Sequence, residues 1–387
     1  MSAPETNARI VNDQDDLRGH PTRWKWVAGG VAAVVIIGGV VGVSAVRSSN
    51  EGVAGALGGT TAGGVVTTLN AAVSGLDAPY GSATDDQGNL YIANGTRIQK
   101  FNPTVTPMTV TTLAGGISSG WLDATGTAAR FKGAQGVAVD KNGTVYVAEA
   151  VNRRIRKITT AGVVTTLAGS GVSGSTDATG TEAQFKSPTK IAVDGNFNVY
   201  VLDSYRIRKI TSAGVVTTVA GTGTRGFADG VGTAAKLDTI GIAIERNCTG
   251  SCILYLADMA AIRSFDTTSG QVTTLAGNTN GVLGTTNGVG SAALFNELSS
   301  ITMAGPGALW VSDGRIGNPV IRRFDIASRT VSAVAGSTSD RGLVDATGSA
   351  ATFNEIYAIA VTKDGTRLYV TDRFLNGYVD GAIRKVT

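Results

Sequence analysis

One carboxylate or amide recurs at a near-constant interval along this 387-residue chain: Asn94, Glu149, Asp203, Asp258, Asp313 and Asp372. Such a set could do two kinds of chemistry. Oxygen donors gathered round an axis could bind a hard cation. Alternatively, each acid could pair with the arginine of its own repeat, Arg156, Arg208, Arg263, Arg322 or Arg384, in a charge-assisted bond of the framework. The repetition favours the framework, because functional sites gather different groups in different roles. Four further carboxylates, Asp77, Asp238, Glu297 and Glu355, precede short apolar strands and could approach the same axis.

Other chemistries are narrowed by absence. The only histidine, His20, lies in the N-terminal tail. The rest of the chain therefore has no histidine-ligated zinc and no histidine general base. No nucleophile stands beside a base. Net charge is +4, and residues 1–51 hold five basic and five acidic groups. The mild downstream excess is scattered, so no nucleic-acid partner is expected. Cys248 and Cys252 are the only cysteines; outside the cell they read as a local disulfide whose short loop adds little stability. Asn94, Asn142 and Asn247 each begin an Asn-x-Thr glycosylation pattern.

These residues are positioned by a repeat. The aromatic strands YIAN (91–94), YVAE (146–149), YVLD (200–203), YLAD (255–258), WVSD (310–313) and YVTD (369–372) are spaced by 55, 54, 55, 55 and 59 residues. Each unit runs from an apolar strand such as GVAVD (136–140) or KIAVD (190–194) to the aromatic strand. A strand such as RIRKI (154–158) and a VVTTLAG strand (163–169) complete it. Four short strands repeated in this way predict a propeller whose sheets bury their faces against one another. The last unit stops after its third strand, whereas VVTTL at 65–69 stands alone. The fold expected is all-β, a six-bladed β-propeller over 65–387, with strand 65–69 closing the last blade.

The aromatic-x-[AVS]-[DEN] strand, the R-I-R-K strand and the G-x-x-D-[AG]-x-G-[TS]-x-A linker, seen at Leu122–Ala129, Thr176–Ala183, Ala228–Ala235, Thr286–Ala293 and Val344–Ala351, resemble the NHL-repeat propellers. That resemblance implies the fold. It leaves function open, since such propellers include sensors, adhesion modules, RNA binders, lyases and lactonases.

Residues 26–46 are uncharged, with Arg18, Arg23 and Lys25 before them and Arg47 after. The run is long enough for a transmembrane helix and longer than a usual signal-peptide core. The expected organisation is a cytoplasmic tail (1–25), a membrane anchor (26–46), a flexible linker (47–64) and an extracytoplasmic propeller (65–387).

In such a propeller the links between blades, and those between second and third strands, are expected on one rim, the top. The repeated acids should ring the channel there. The shared aromatic column Phe131, Phe185, Leu237, Phe295 and Phe353 reads as plugs between blades, and the Thr of TGTAARF (125–131) as the cap of a helical turn. Residues that break the repeat are the binding candidates: Trp121, Arg225 and Phe227 between blades, and Tyr205, Arg315, Phe374, Asn376 and Tyr378 between second and third strands. The function expected is a membrane-anchored module binding an extracellular protein, saccharide or small molecule by its top face. It would act without catalysis and without a cofactor. The alternative is a metal-assisted, lactonase-like hydrolase or lyase at the channel mouth.

Overall fold

The repeated strands pair as the sequence predicts. The computed structural model describes residues 63–70, 76, 79–105, 108–278, 280–315, 317–373 and 381–387, with the backbone of 34–37 and 40–43. Within the unit 54–387, six antiparallel sheets follow one another along the chain. Their innermost strands are Pro79–Thr84, Ala134–Val139, Pro188–Val193, Thr239–Ile244, Leu298–Met303 and Ile356–Val361. Blade 3 is representative, running Pro188–Val193, Val199–Asp203, Ile207–Ile210 and Val216–Ala220 outwards. All five residues of Val199–Asp203 are buried, because adjacent blades cover both faces of the second strand. That explains why it reads as a continuous apolar run rather than an alternating one.

The N-terminal strand closes the ring. Val66–Asn70 pairs antiparallel with Gly381–Val386, with Val66 opposite Val386 and Thr68 opposite Arg384. Val65 and Thr387 exchange backbone hydrogen bonds of 2.9 and 3.0 Å. The entry to the propeller at Gly64 therefore stands beside the end of a third strand, on the bottom face.

The aromatic column packs as expected. Phe131, Phe185, Leu237, Phe295 and Phe353 are fully buried, each worth ~1.5–3 kcal/mol of burial. The links follow a different course from the one expected. They leave the top rim but run down the outer flank of the next blade. Thr125 bridges Val163, and the Gly126 amide donates to the Gly162 carbonyl in the bottom hairpin of blade 2. In two links this course is regular enough to add a strand, Gly230–Val231 in blade 4 and Gly288–Val289 in blade 5. Thr125 precedes a single 3-10 turn, Gly126–Ala128, but its side chain makes no cap hydrogen bond.

Cys248 and Cys252 form a disulfide across four positions. On a chain-entropy account so small a loop contributes about 2 kcal/mol. Asn94 is buried and hydrogen-bonded to Gln99, so its glycosylation pattern cannot receive a sugar in the folded state. Asn142 and Asn247 are exposed.

Of the segment expected to form a helix over 26–46, eight residues are described, and they form a hairpin of Val34–Ile37 with Val40–Val43. Val and Ile fill most of these positions, and β-branched residues suit strands. The other residues of 26–46 lie outside the described residues. Among the described residues no helix is long and apolar enough to cross a membrane. The tail 1–25, the linker as far as 62, and Asp77, Phe374, Asn376 and Tyr378 lie outside the described residues.

Candidate ligand-binding site

The recurring acids belong to the framework. Arg208 donates to Asp203 at 3.0 Å and to the linker Asp177 at 2.7 Å, and reaches the carbonyls of Gln184 and Thr176. The same clasp joins Arg156 to Glu149 and Asp123, Arg263 to Asp258 and Asp229, and Arg384 to Asp372 and Asp345. In blade 5 Arg322 pairs with Asp313 and with the amide oxygen of Asn287. Asn94 and Gln99 form a neutral counterpart in blade 1. The acids also cap backbone: Asp203 accepts from the amides of Lys186 and Ser187. They are buried inside the blades, away from the channel they were expected to ring.

A bulge makes room for this clasp. The ladder between third and outer strands slips just before the arginine, at Ile155/Arg156, Ile207/Arg208, Ile262/Arg263, Ile321/Arg322 and Ile383/Arg384. A bulge frees backbone groups that need other partners. The linker acid supplies one: Asp177 accepts the Thr218 amide at 2.8 Å, and Asp123 that of Thr166 at 2.9 Å. Burial pushes the carboxyls of Glu149, Asp203, Asp258, Asp313 and Asp372 up, while their arginine and amide donors pull the other way.

Three repeat-breaking residues expected to bind ligand are placed elsewhere. Trp121 stands on the outer flank, donating to Thr166 with the Arg154 guanidinium 3.8 Å from its ring centroid. Phe227 lies 4.7 Å from the Arg263 guanidinium. In the other blades that place is taken by Phe131, Phe185, Phe295 and Phe353, at 4.8–5.0 Å. Blade 4 carries Leu237 in the shared column, and Phe227 restores the missing ring. Arg225 is exposed and binds Asp238 at 2.8 Å; it borders the channel mouth through that acid.

Tyr205 and Arg315 do converge. Both line a cavity of about 480 Å³ at the top of the channel. Asp238 and Glu355 line it as well, whereas Glu297 turns its carbonyl to the amides of Gly314 and Arg315. Ser204 and Tyr205 hold positive φ values of 42° and 59°, a conformation that non-glycine residues rarely adopt. The wall comes from the second residue of every innermost strand: Tyr80, Gln135, Thr189, Ile240, Ser299 and Tyr357. Tyr80 and Tyr357 meet edge to face at 5.4 Å. The Tyr357 hydroxyl accepts from Arg373 at 2.7 Å; burial raises its pKa and the guanidinium opposes that.

One layer down the channel narrows. The third residues are Gly81, Gly136, Lys190, Gly241, Ser300 and Ala358. The glycines allow close approach: a Cβ on Gly81 would stand 2.3 Å from the Gln135 carbonyl, and one on Gly136 2.4 Å from that of Thr189. Lys190 is the single long side chain of this ring. Its Nζ crosses from blade 3 to the Tyr80 carbonyl of blade 1, at 2.5 Å. Burial, and then the like charge of Arg315, bring this ammonium down to about 8. Lys190 is only half-buried by exposure, since it fronts the cavity, yet protein surrounds its head group. Below this neck the channel opens again into a space of about 140 Å³, walled largely by aliphatic residues with Ser82, Thr84, Thr302 and Arg246 among them. Lys190 was missed among the sequence candidates although KIAVD aligned with GVAVD.

No protein-family model and no curated protein matches the chain. Solved structures share the fold. A protein of unknown function from Bacteroides thetaiotaomicron is 18% identical, with a TM-score of 0.60 over 84% of this chain and 76% of its own. An auxiliary nutrient binding protein from the same organism is 13% identical, with a TM-score of 0.56 over 84% and 77%. A gluconolactonase from Xanthomonas campestris is 14% identical, with a TM-score of 0.50 over 84% and 89%. At these identities the likeness establishes the class of protein, a six-bladed β-propeller, and nothing finer.

Proposed function

We propose that this chain is an NHL-type binding propeller that takes a small polar ligand in its top-face cavity and does no chemistry on it. One observation carries the reading. A framework repeated six times encloses a cavity wall whose equivalent residues are Tyr80, Gln135, Thr189, Ile240, Ser299 and Tyr357, no two blades alike except for the tyrosines. A site gathers different roles, and architecture repeats one. Hydroxyls and an amide beside an aromatic pair suit a hydroxylated molecule, such as a saccharide, of the size that ~300–1,000 Å³ pockets hold. The resemblance to a nutrient binding protein supports binding; that to a gluconolactonase keeps catalysis as the alternative. The donor set does not favour a metal-assisted route: among the described residues no three His, Cys, Asp or Glu side chains cluster closely enough to hold a metal. Asp238 is already held by Arg225.

The expected outcome of a thermal-shift screen of the full chain against sugars, sugar acids and sugar phosphates is a concentration-dependent rise in Tm, as mass action requires of any ligand bound by the folded state. Tyr357→Ala should abolish the rise for the ligand found. A hit that is instead turned over would move the reading to the enzymatic alternative.

We further propose that 26–46 anchors the protein, with the propeller outside the cytoplasm. The uncharged run and its flanking basic residues support this. Membranes washed with carbonate should retain the full chain and release one that begins at residue 63. Release of both would sink the anchor.

A further inference from the structure

The channel neck presents a charge without a counter-charge. Among the described residues neither Lys190 nor Arg315 has a carboxylate in ion-pair contact. The charge that bears on Lys190 is Arg315, another cation. Asp238 is turned to Arg225 on the rim. Buried charges in proteins are ordinarily paired, because an unpaired one loses hydration without recompense. Here the chain places an ammonium where five other blades have Gly, Gly, Gly, Ser and Ala, held by the Tyr80 carbonyl on the wall of a cavity that Arg315 also lines. A packing role would be met by a further small residue, as in the other blades.

Resting on the ligand-site reading above, we infer that the missing partner is the ligand: a small hydroxylated anion, a carboxylate or a phosphate ester, whose acidic group is held between Lys190 and Arg315. The tyrosine pair and the hydroxyls of Ser187, Thr189 and Ser299 then face its neutral part. A doubly charged-assisted grip of this kind is worth more than neutral hydrogen bonds. Entry of the anion also relieves the repulsion between the two cations.

Calorimetry on the full-length protein tests this with three probes: gluconate, glucose 6-phosphate and glucose. The expected result is that one or both anions bind and glucose does not. The preferred anion tells carboxylate from phosphate. Lys190→Met should weaken anion binding about tenfold or more, with Tm unchanged or raised, since an apolar side chain of similar length replaces an unpaired charge. Arg315→Ala, an exposed substitution, should weaken binding without affecting folding. The charged and titratable groups that face Lys190 across the cavity are Arg315, Tyr80, Tyr205, Asp238, Glu355 and Tyr357. Of these groups Lys190 is the one brought down to about 8, so anion affinity should fall as pH rises through 8. That pH dependence should disappear in Lys190→Met. Folding has the opposite sign: the folded state gives up this proton before the unfolded state does, so stability gains between pH 8 and the ordinary lysine value. Glucose binding as tightly as either anion would overturn the charge inference and leave the cavity reading standing. Anion binding indifferent to Lys190→Met would also overturn it. No binding by any probe would overturn both.

Discussion

A chain lacking residues 1–70 is expected to lose its closed ring. The truncation removes Val66–Asn70, and with it the outer partner of Gly381–Val386. It also removes buried Val66 and the Thr68 amide and hydroxyl that hold Asp345, each at 2.8 Å. Asp345 is one side of the Arg384 clasp. Summing about 1 kcal/mol per ladder bond with the burial of Val66 and Leu69, the loss is ~5 kcal/mol or more. Exposed strand edges pair with other chains, so aggregation should accompany it. The control is geometric. Val65 and Thr387 face each other as a hydrogen-bonded pair, so residues 65–70 appended after Thr387 through an Asn-Gly turn should restore the parent's stability and elution volume. Chemical denaturation and size-exclusion chromatography read both outcomes. An unappended truncation as stable as the parent would show that closure contributes nothing.

Asp203→Ala is expected to destabilise the protein by about 3–5 kcal/mol. The substitution leaves the buried Arg208 guanidinium half-paired, with only the exposed Asp177 to balance it. It also orphans the amides of Lys186 and Ser187. The milder Asp203→Asn keeps an acceptor for those amides but faces Arg208 with an amide NH2. Paired with Arg208→Gln it copies the Asn94–Gln99 arrangement of blade 1. The double variant should therefore cost less than the two singles added, by ~0.5–3 kcal/mol. Strict additivity in urea melts would show that the acid and the arginine act independently, against the 3.0 Å bond between them.

The strand repeat and the closure of the last blade were legible because both are written at short range. A period of some 55 residues, apolar second strands and a missing fourth strand need no knowledge of neighbours. The disulfide was legible for the same reason, with two cysteines four positions apart. The pairing of acid with arginine was legible as two columns in register. Its buttress, the linker acid at Asp123, Asp177, Asp229 and Asp345, was visible in the motif, but its role was not. That role depends on a bulge, and a bulge appears only once two strands are laid side by side.

That Trp121 and Phe227 pack on the blades while Tyr205 and Arg315 line the cavity was hidden for a related reason. A break in a repeat signals either function or compensation, and the sequence alone does not separate them. Phe227 compensates for Leu237, while Tyr205 and Arg315 reach a cavity.

By itself, then, the sequence determined the number of sheets, the order of their strands and the chain end that seals them. Local pattern dictates those through burial and backbone pairing. Only the tertiary structure decided which departures from the repeat face solvent together. The Lys190 column, otherwise Gly81, Gly136, Gly241, Ser300 and Ala358, becomes a channel neck when six strands are drawn round one axis. The distance between a lysine of one blade and a carbonyl two blades away is set by the curvature of the whole ring, which no single repeat contains.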